Sequence, residues 1–371
     1  MKYYIIAGEA SGDVHAANLI RSIKDKDEES VFRAWGGDRM EAQGAEIVKH
    51  YRDLAFMGFV EVLLNIRTIS NNISFCKKDI LSFRPDVLVL VDYPGFNLRI
   101  AEFAHKQGIK VVYYVSPQVW AWKKSRVHKI KRVVDKMLVI LPFEKAFYEK
   151  YGVDVDFVGH PLLDEIKNQK KISKSEFLEK NKLNSKPIIA LLPGSRKQEI
   201  NSMLKSMLTV INHFPDHQFI VAGLSSIDIR FYHDILRNSP AKLVVDQTDS
   251  LLQHAAAALV TSGTATLETA LMEVPEVVCY KGNFISVAIA RRIIDVKYIS
   301  LVNLIMEREI VKELIQGQLN TKNLLHELEL IVRNKKRLEQ LQLDYKELKE
   351  RLGEEGASEH AATLILELIS D

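Results

Sequence analysis

The sequence predicts an α/β protein of two Rossmann-like, doubly wound parallel-sheet domains facing a cleft, followed by C-terminal helices. Three observations carry that prediction. Short, continuous apolar runs alternate with stretches of helical periodicity, as in parallel strands buried on both faces and linked by crossover helices. The alternation occurs twice, on either side of a charged segment poor in large apolar groups. Glycine stands in the strand-end loops, and 371 residues suit two ordinary domains better than one.

The first half begins with the strand "KYYIIAG" and a helix over "DVHAANLIRSIKD". It continues through "VFRAWGG", "DVLVLVD", a helix over "FNLRIAEFAHKQG", then "KVVYYVS", "KMLVIL" and "DVDFVG". Its strands end near Gly159, and the domain is drawn as residues 1–164. Residues 165–186, charged and weakly periodic, read as a helix and connector. The second alternation, residues 187–340, runs "PIIALLPGS", helix, "QFIVAG", helix, "KLVVD", "AALVTSGT", helix, "EVVCY". Residues 341–371 are read as C-terminal helices able to pack back on the first domain. Open α/β sheets bind ligands beyond the carboxyl ends of their strands, so the cleft is the expected site. GT-B glycosyltransferases, among others, share this arrangement.

Composition narrows the class. With 47% apolar and 27% charged residues the chain reads as a soluble α/β protein, not a disordered, fibrous or membrane-spanning one. A net charge of +3 gives no global case for nucleic acid. Cys76 and Cys279 lie far apart without metal-like spacing, which suits a reducing cytoplasm. The apolar start is too short for a signal sequence, and no run reaches the roughly 18 apolar residues of a membrane span.

The first loop, "AGEASGDVHAANLI", follows a strand and opens a helix, the layout of a phosphate-binding turn. Gly8 and Gly12 do not make the dinucleotide fingerprint, and no Lys-Ser/Thr pair follows as a P-loop requires. What remains is a turn in which Ser11 and Asp13 can cap the helix and Ser11 and Gly12 can offer amides to a ligand, or an ordinary βα turn. "IIALLPGSRKQEI" is sharper: a buried strand, the Gly194-Ser195 turn, then Arg196 at a helix start. Arg196 is either a solvent-exposed helix-start residue or part of a diphosphate cradle, and the second is favoured because a cation is disfavoured there unless an anion joins it. "ALVTSGTATLETAL" repeats the plan with Ser262, Gly263 and Thr264 and with Glu268 one turn on, which is not a capping-box partner if Thr264 is the cap. Glu268 can accept from a ribose diol or simply sit well in the helix dipole.

Taken together, "AGEASGD", "VEVL", "YYVSPQVWAW", "LPFEKAFY", "FVGHPL", "LLPGSRKQEI", "SGTATLETAL" and "SLVNLI" resemble the lipid-A-disaccharide synthase family, in order over nearly the whole chain. That resemblance implies an inverting, metal-independent hexosyltransferase of lipid A biosynthesis that needs no cofactor. It implies UDP-2,3-diacylglucosamine as donor and 2,3-diacylglucosamine 1-phosphate as acceptor, with a β-1,6 disaccharide 1-phosphate and UDP as products. It makes residues 1–164 the acceptor and lipid side and 187–340 the UDP-sugar side. Asp92 matches the family's motif acid and is the expected base, while Gly95 stands where many members carry a second acid. Arg196 would meet the leaving diphosphate, and Asn303 matches an Asn beside it, with Val302 in place of a frequent proline.

His160 either meets ligand or braces the junction, and the Asp154/Asp156 pair is discounted as a metal site because it precedes its strand's apolar residues. "LAFMGFVEVLLNI" is either a core helix or a surface for acyl chains and lipid, through Phe56, Met57, Phe59, Val60, Leu63 and Leu64. The basic run from Lys123 to Arg132 and the pair Arg291-Arg292 suit anionic headgroups. Basic runs are usually solvated faces, so the expectation of peripheral attachment to the cytoplasmic face of a Gram-negative inner membrane rests mainly on the lipid substrates that the resemblance implies; no nucleic-acid partner is expected. Oligomeric state stays open, a homodimer included. The competing readings are a UDP-N-acetylglucosamine 2-epimerase-like enzyme and a non-catalytic nucleotide-sugar or lipid-binding protein.

Overall fold

The computed structural model describes residues 1–54, 66–122, 124–282 and 297–370. The chain forms two compact units, Met1–Asp164 with Leu352–Asp371, and Glu165–Arg351. Each is a wholly parallel sheet covered by helices.

The first sheet has seven strands, β1 (Lys2–Ala7), β2 (Val31–Gly36), β3 (Glu46–His50), β4 (Val87–Val91), β5 (Lys110–Tyr114), β6 (Lys136–Val139) and β7 (Asp156–Phe157), in the order β3-β2-β1-β4-β5-β6-β7. Between them run α1 (Ala10–Lys24), α2 (Asp38–Ala42), α3 (Ile66–Phe83), α4 (Pro94–Lys106), α5 (Val119–Trp122), α6 (Arg126–Val133) and α7 (Pro142–Glu149). Because helices cover both faces, β1 and β4 bury every residue but Lys2, which is why they read as unbroken apolar runs. Helix α8 (Pro161–Asn168) follows β7.

The second sheet has six strands, β8 (Ile188–Leu192), β9 (Gln218–Gly223), β10 (Lys242–Val245), β11 (Ala255–Thr261), β12 (Glu276–Tyr280) and β13 (Lys312–Ile315), in the order β10-β9-β8-β11-β12-β13. Its helices are α9 (Lys174–Lys180), α10 (Lys197–Met207), α11 (Ile229–Leu236), α12 (Thr248–Leu252), α13 (Thr264–Leu271), α14 (Leu301–Met306), α15 (Thr321–Arg333) and α16 (Lys335–Arg351). A last helix, α17 (Ala357–Ser370), packs on α1 of the first unit.

Two expected boundaries move. The stretch read as a connector belongs to the second unit: Ser173 caps α9, accepting from the Glu176 N–H, and Phe177 is fully buried beside Ile188, Ile220 and Leu252. The segment 341–371 is split, because α16 continues to Arg351 and buries Leu341, Tyr345 and Leu348 within the second unit. Only the part beyond it joins the first, where Asp164 accepts from the amides of Gly356 (2.5 Å) and Ser358 (3.3 Å). Among the described residues no helix is long and apolar enough to cross a membrane. The residues expected to meet lipid, Phe56, Met57, Phe59, Val60, Leu63 and Leu64, and the cations Lys123, Arg291 and Arg292, lie outside the described residues.

Candidate active site

In the first sheet the strand order reverses between β1 and β4, where Ala7 pairs with Val91. A reversal splays the flanking loops apart and leaves a crevice at the strand ends, the place where open α/β sheets bind ligands. The loops here are Gly8-Glu9 and Asp92-Tyr93. A Cβ on Gly8 would fall 2.4 Å from the Tyr93 ring, so only glycine admits that ring.

Asp92 and Tyr93 both take left-handed backbone angles, φ +42° and +49°. Non-glycine residues held there cost on the order of 1–3 kcal/mol each, so the surroundings must hold them. They do: the Asp92 N–H donates to the Val115 carbonyl (3.2 Å), and the Asp92 carbonyl accepts from Asn97 Nδ2 (2.7 Å) and the Tyr113 hydroxyl (2.5 Å). Burial and the negative charge of Glu9 push the Asp92 carboxyl up to about 6, against a smaller pull from the Tyr93 amide and His15. A carboxylate with that affinity for a proton suits general-base work near neutral pH.

The opening loop divides its tasks differently from the sequence expectation. Glu9 is the N-cap residue of α1 and makes no side-chain cap bond, and Ser11 lies exposed within the first turn. Asp13 caps the neighbouring α2 instead, accepting from the amides of Gly37 (2.7 Å), Arg39 (3.1 Å) and Met40 (3.2 Å). Gly12 is buried, and a Cβ there would stand 3.3 Å from Ala7 Cβ, so it lets α1 lie close on β1. His160 is buried, with Nδ1 accepting from the Leu162 N–H (3.2 Å), and burial together with His15 lowers its pKa to about 3. Those contacts make it a brace. Asp156 is paired with Lys136 at 2.7 Å.

The second sheet reverses its order between β8 and β11. Gly194, at φ +103°, turns the chain from β8 into α10, and a Cβ there would come within 3.5 Å of Thr261 Cγ2 at the end of β11. The Gly194-Ser195-Arg196 and Ser262-Gly263-Thr264 turns therefore lie side by side. Arg196 is the N-cap residue of α10, more than half exposed, and donates to Glu199 Oε1 (3.0 Å). That pairing eases the conflict between a cation and the positive helix start.

Ser262 donates its hydroxyl to the Ile299 carbonyl (3.0 Å). Gly263 is the N-cap residue of α13 and Thr264 its first helical residue, so Thr264 is not the cap. Glu268 is half-buried and hydrogen-bonded to Asp249 at the start of α12. Burial, then Asp249 and Glu165, raise the Glu268 carboxyl well above the ordinary range, to about 8. Asn303 is fully buried and its amide is saturated by protein. It donates to the Val311 carbonyl (2.8 Å) and Glu313 Oε1 (3.0 Å), and accepts from the Ile310 (2.8 Å) and Val311 (3.0 Å) amides. It holds its own loop together and has no hydrogen-bonding capacity left for a ligand.

Sequence reasoning passed over Glu9, Tyr113, Val115 and Asp249. Each acts on a residue distant in the chain, and local pattern carries no sign of that.

Comparison with known proteins agrees with the two-sheet plan. A model of the lipid-A-disaccharide synthetase family matches residues 3–368. The lipid-A-disaccharide synthase of Syntrophus aciditrophicus is 39% identical over 373 residues, covering 98% of this chain and 97% of that one. That of Geobacter metallireducens is 38% identical, covering 98% and 96%. Among solved structures, the S. aureus MnaA-UDP co-structure superposes with a TM-score of 0.72 at 14% identity, covering 100% of this chain and 98% of the other. The glycotransferase of kitacinnamycin gives 0.66 at 14% identity with 99% of each covered, which shows a GT-B fold. With the family pattern running from the first strand into the last helix, the chain belongs to the lipid-A-disaccharide synthetase family, glycosyltransferases of lipid A biosynthesis.

Proposed function

We propose that this glycosyltransferase moves a 2,3-diacylglucosamine unit from UDP to the 6-hydroxyl of 2,3-diacylglucosamine 1-phosphate, with inversion and without a metal. The observation that carries the reading is Asp92: a strained, half-buried carboxylate at the strand-order reversal of the first unit, with a proton affinity set near pH 6. Asp92 takes the proton of the acceptor hydroxyl as its oxygen attacks the anomeric carbon. The bond from that carbon to the diphosphate breaks, and its electron pair leaves on UDP.

The paired turns of the second unit suit the leaving group. The Gly194-Ser195 turn and the start of α10 offer amides, and Arg196 can leave Glu199 for the charge that builds on the diphosphate. Ser262, Gly263 and Thr264 border the nucleotide, and Glu268 receives the ribose hydroxyls. UDP in the S. aureus relative in fold supports a nucleotide sugar as donor. In the first unit, Ser11 and Gly12 lie at the acceptor side. Acylated substrates place the enzyme at the inner-membrane surface.

The test is UDP release from UDP-2,3-diacylglucosamine with and without acceptor, in EDTA, for wild type and Asp92→Ala. Acceptor-dependent release with a disaccharide product, lost in the variant, is the expected result. No acceptor-dependent release from folded protein that binds UDP would overturn the reading and favour an epimerase-like enzyme or a non-catalytic binding protein.

A further inference from the structure

Two distinctive stretches, "SPQVWAW" (116–122) and "LPFEKAFY" (141–148), carry the family resemblance but no role in the proposed reaction. They form the turns at the carboxyl ends of the adjacent strands β5 and β6. Glu144, 1% exposed, lies between them on α7. Its Oε2 accepts from the Leu141 N–H (3.0 Å), reaching back to the N-cap residue of its own helix. Its Oε1 accepts from Trp120 Nε1 (3.2 Å). Alongside, the Ser116 and Tyr148 hydroxyls share a hydrogen bond of 2.8 Å, and Trp120 meets Phe143 edge-on at 4.9 Å. Two polar bridges thus pin the β5 turn to α7.

An acid that only closed a helix end could do so from the surface. Here burial pushes the carboxyl up to about 7 while the Leu141 amide, Ser116 and Trp120 pull it down, a costly place for a charge. What the acid secures is the turn that begins at Val115, whose φ of +62° is an outlier for a β-branched residue. The Val115 carbonyl accepts from the Asp92 N–H (3.2 Å), and Tyr113, two residues earlier, donates to the Asp92 carbonyl (2.5 Å). A continuous path therefore runs from Glu144 through Trp120 and the Ser116 turn to the backbone of Asp92.

We propose that Glu144 is a positioning residue for Asp92: by anchoring Trp120 and the Ser116 turn it holds Val115 in its left-handed conformation, which fixes the direction of the Asp92 carboxylate toward the acceptor hydroxyl. This rests on the reading of Asp92 as the base. The test is steady-state UDP release for wild type, Glu144→Gln and Trp120→Phe, with melting curves and UDP binding measured on the same samples. Both variants are expected to lower kcat by about 10–100-fold, because a displaced base loses near-attack geometry. KM for both substrates and UDP affinity should stay within about twofold of wild type, since ground-state binding is untouched. Trp120→Phe keeps an aromatic ring, smaller than the indole, and removes the N–H donor, so it reports even where Glu144→Gln does not fold. Unchanged kcat in a folded variant, a rise in KM without a fall in kcat, or failure of both variants to fold would each overturn the proposal. A wild type with no acceptor-dependent release would overturn the reading beneath it, and is told apart because wild type itself is then inactive.

Discussion

Asp92 combines two costs that a stable fold would avoid, a left-handed backbone and a half-buried charge. The charge cost has a definite sign. An acid whose folded pKa is raised, here from 3.8 to about 6, leaves stability intact below pH 3.8 and withdraws it as pH rises through about 6. Above that the ionised form costs up to about 3 kcal/mol, because each pH unit separating the folded and unfolded values is worth about 1.4 kcal/mol. Asp92→Asn is therefore expected to raise the urea midpoint at pH 8 while abolishing transfer; a lowered midpoint would show that the carboxylate is instead stabilising. The acid limb of kcat/KM in wild type should fall near pH 6, not near the ordinary aspartate value of about 4. Residue-scale roles were the least legible in the sequence. Asp13 could be seen as a cap, but not that it caps α2 rather than α1, and Asn303 gave no sign that its amide would be spent on Val311, Glu313 and Ile310. Such bonds cross between elements, and spacing along the chain encodes only neighbours.

At the scale of elements, the central strands and the turns that follow them were within reach of the sequence, while their order in each sheet was not. Continuous apolar runs identified the central strands, and small residues after β1, β8 and β11 marked the turns beyond them. The edge strands β3 and β13 were missed, because an edge is half-exposed and its mixed sequences "EIVKH" and "KELI" lack an apolar run. Close approach of elements is where single substitutions should tell. Gly8→Ala would drive a methyl into the rigid Tyr93 ring at 2.4 Å, and overpacking of that kind costs roughly 1–3 kcal/mol. The expected outcome is a lower urea midpoint together with lost activity, since Tyr93 adjoins Asp92; a neutral effect on both would mean the ring can move away freely.

For the molecule as a whole, acid should weaken the first unit through His160. With a folded pKa near 3 against 6.5, the imidazole stays neutral in the fold while the unfolded chain takes up a proton. Stability is then complete above pH 6.5 and falls by about 1.4 kcal/mol for each pH unit below it, down toward pH 3. His160→Asn keeps an acceptor for the Leu162 amide and removes the titration, so it should lose less stability than wild type between pH 7 and pH 5 in urea melts. Equal losses would place acid sensitivity elsewhere.

The first unit is closed by α17, which comes from the far end of the chain and lies on α1, with the whole second unit encoded in between. On the ribosome, residues 165–351 take about 10–40 s to make at roughly 5–20 residues per second. During that interval the α1 surface waits uncovered, long after its own sheet has been synthesised. The second unit, contiguous in sequence, can complete itself first, so the order of maturation runs against the order of synthesis. A nascent chain stalled before α17 should accordingly carry a protease-resistant second unit beside a first unit that a chaperone still recognises.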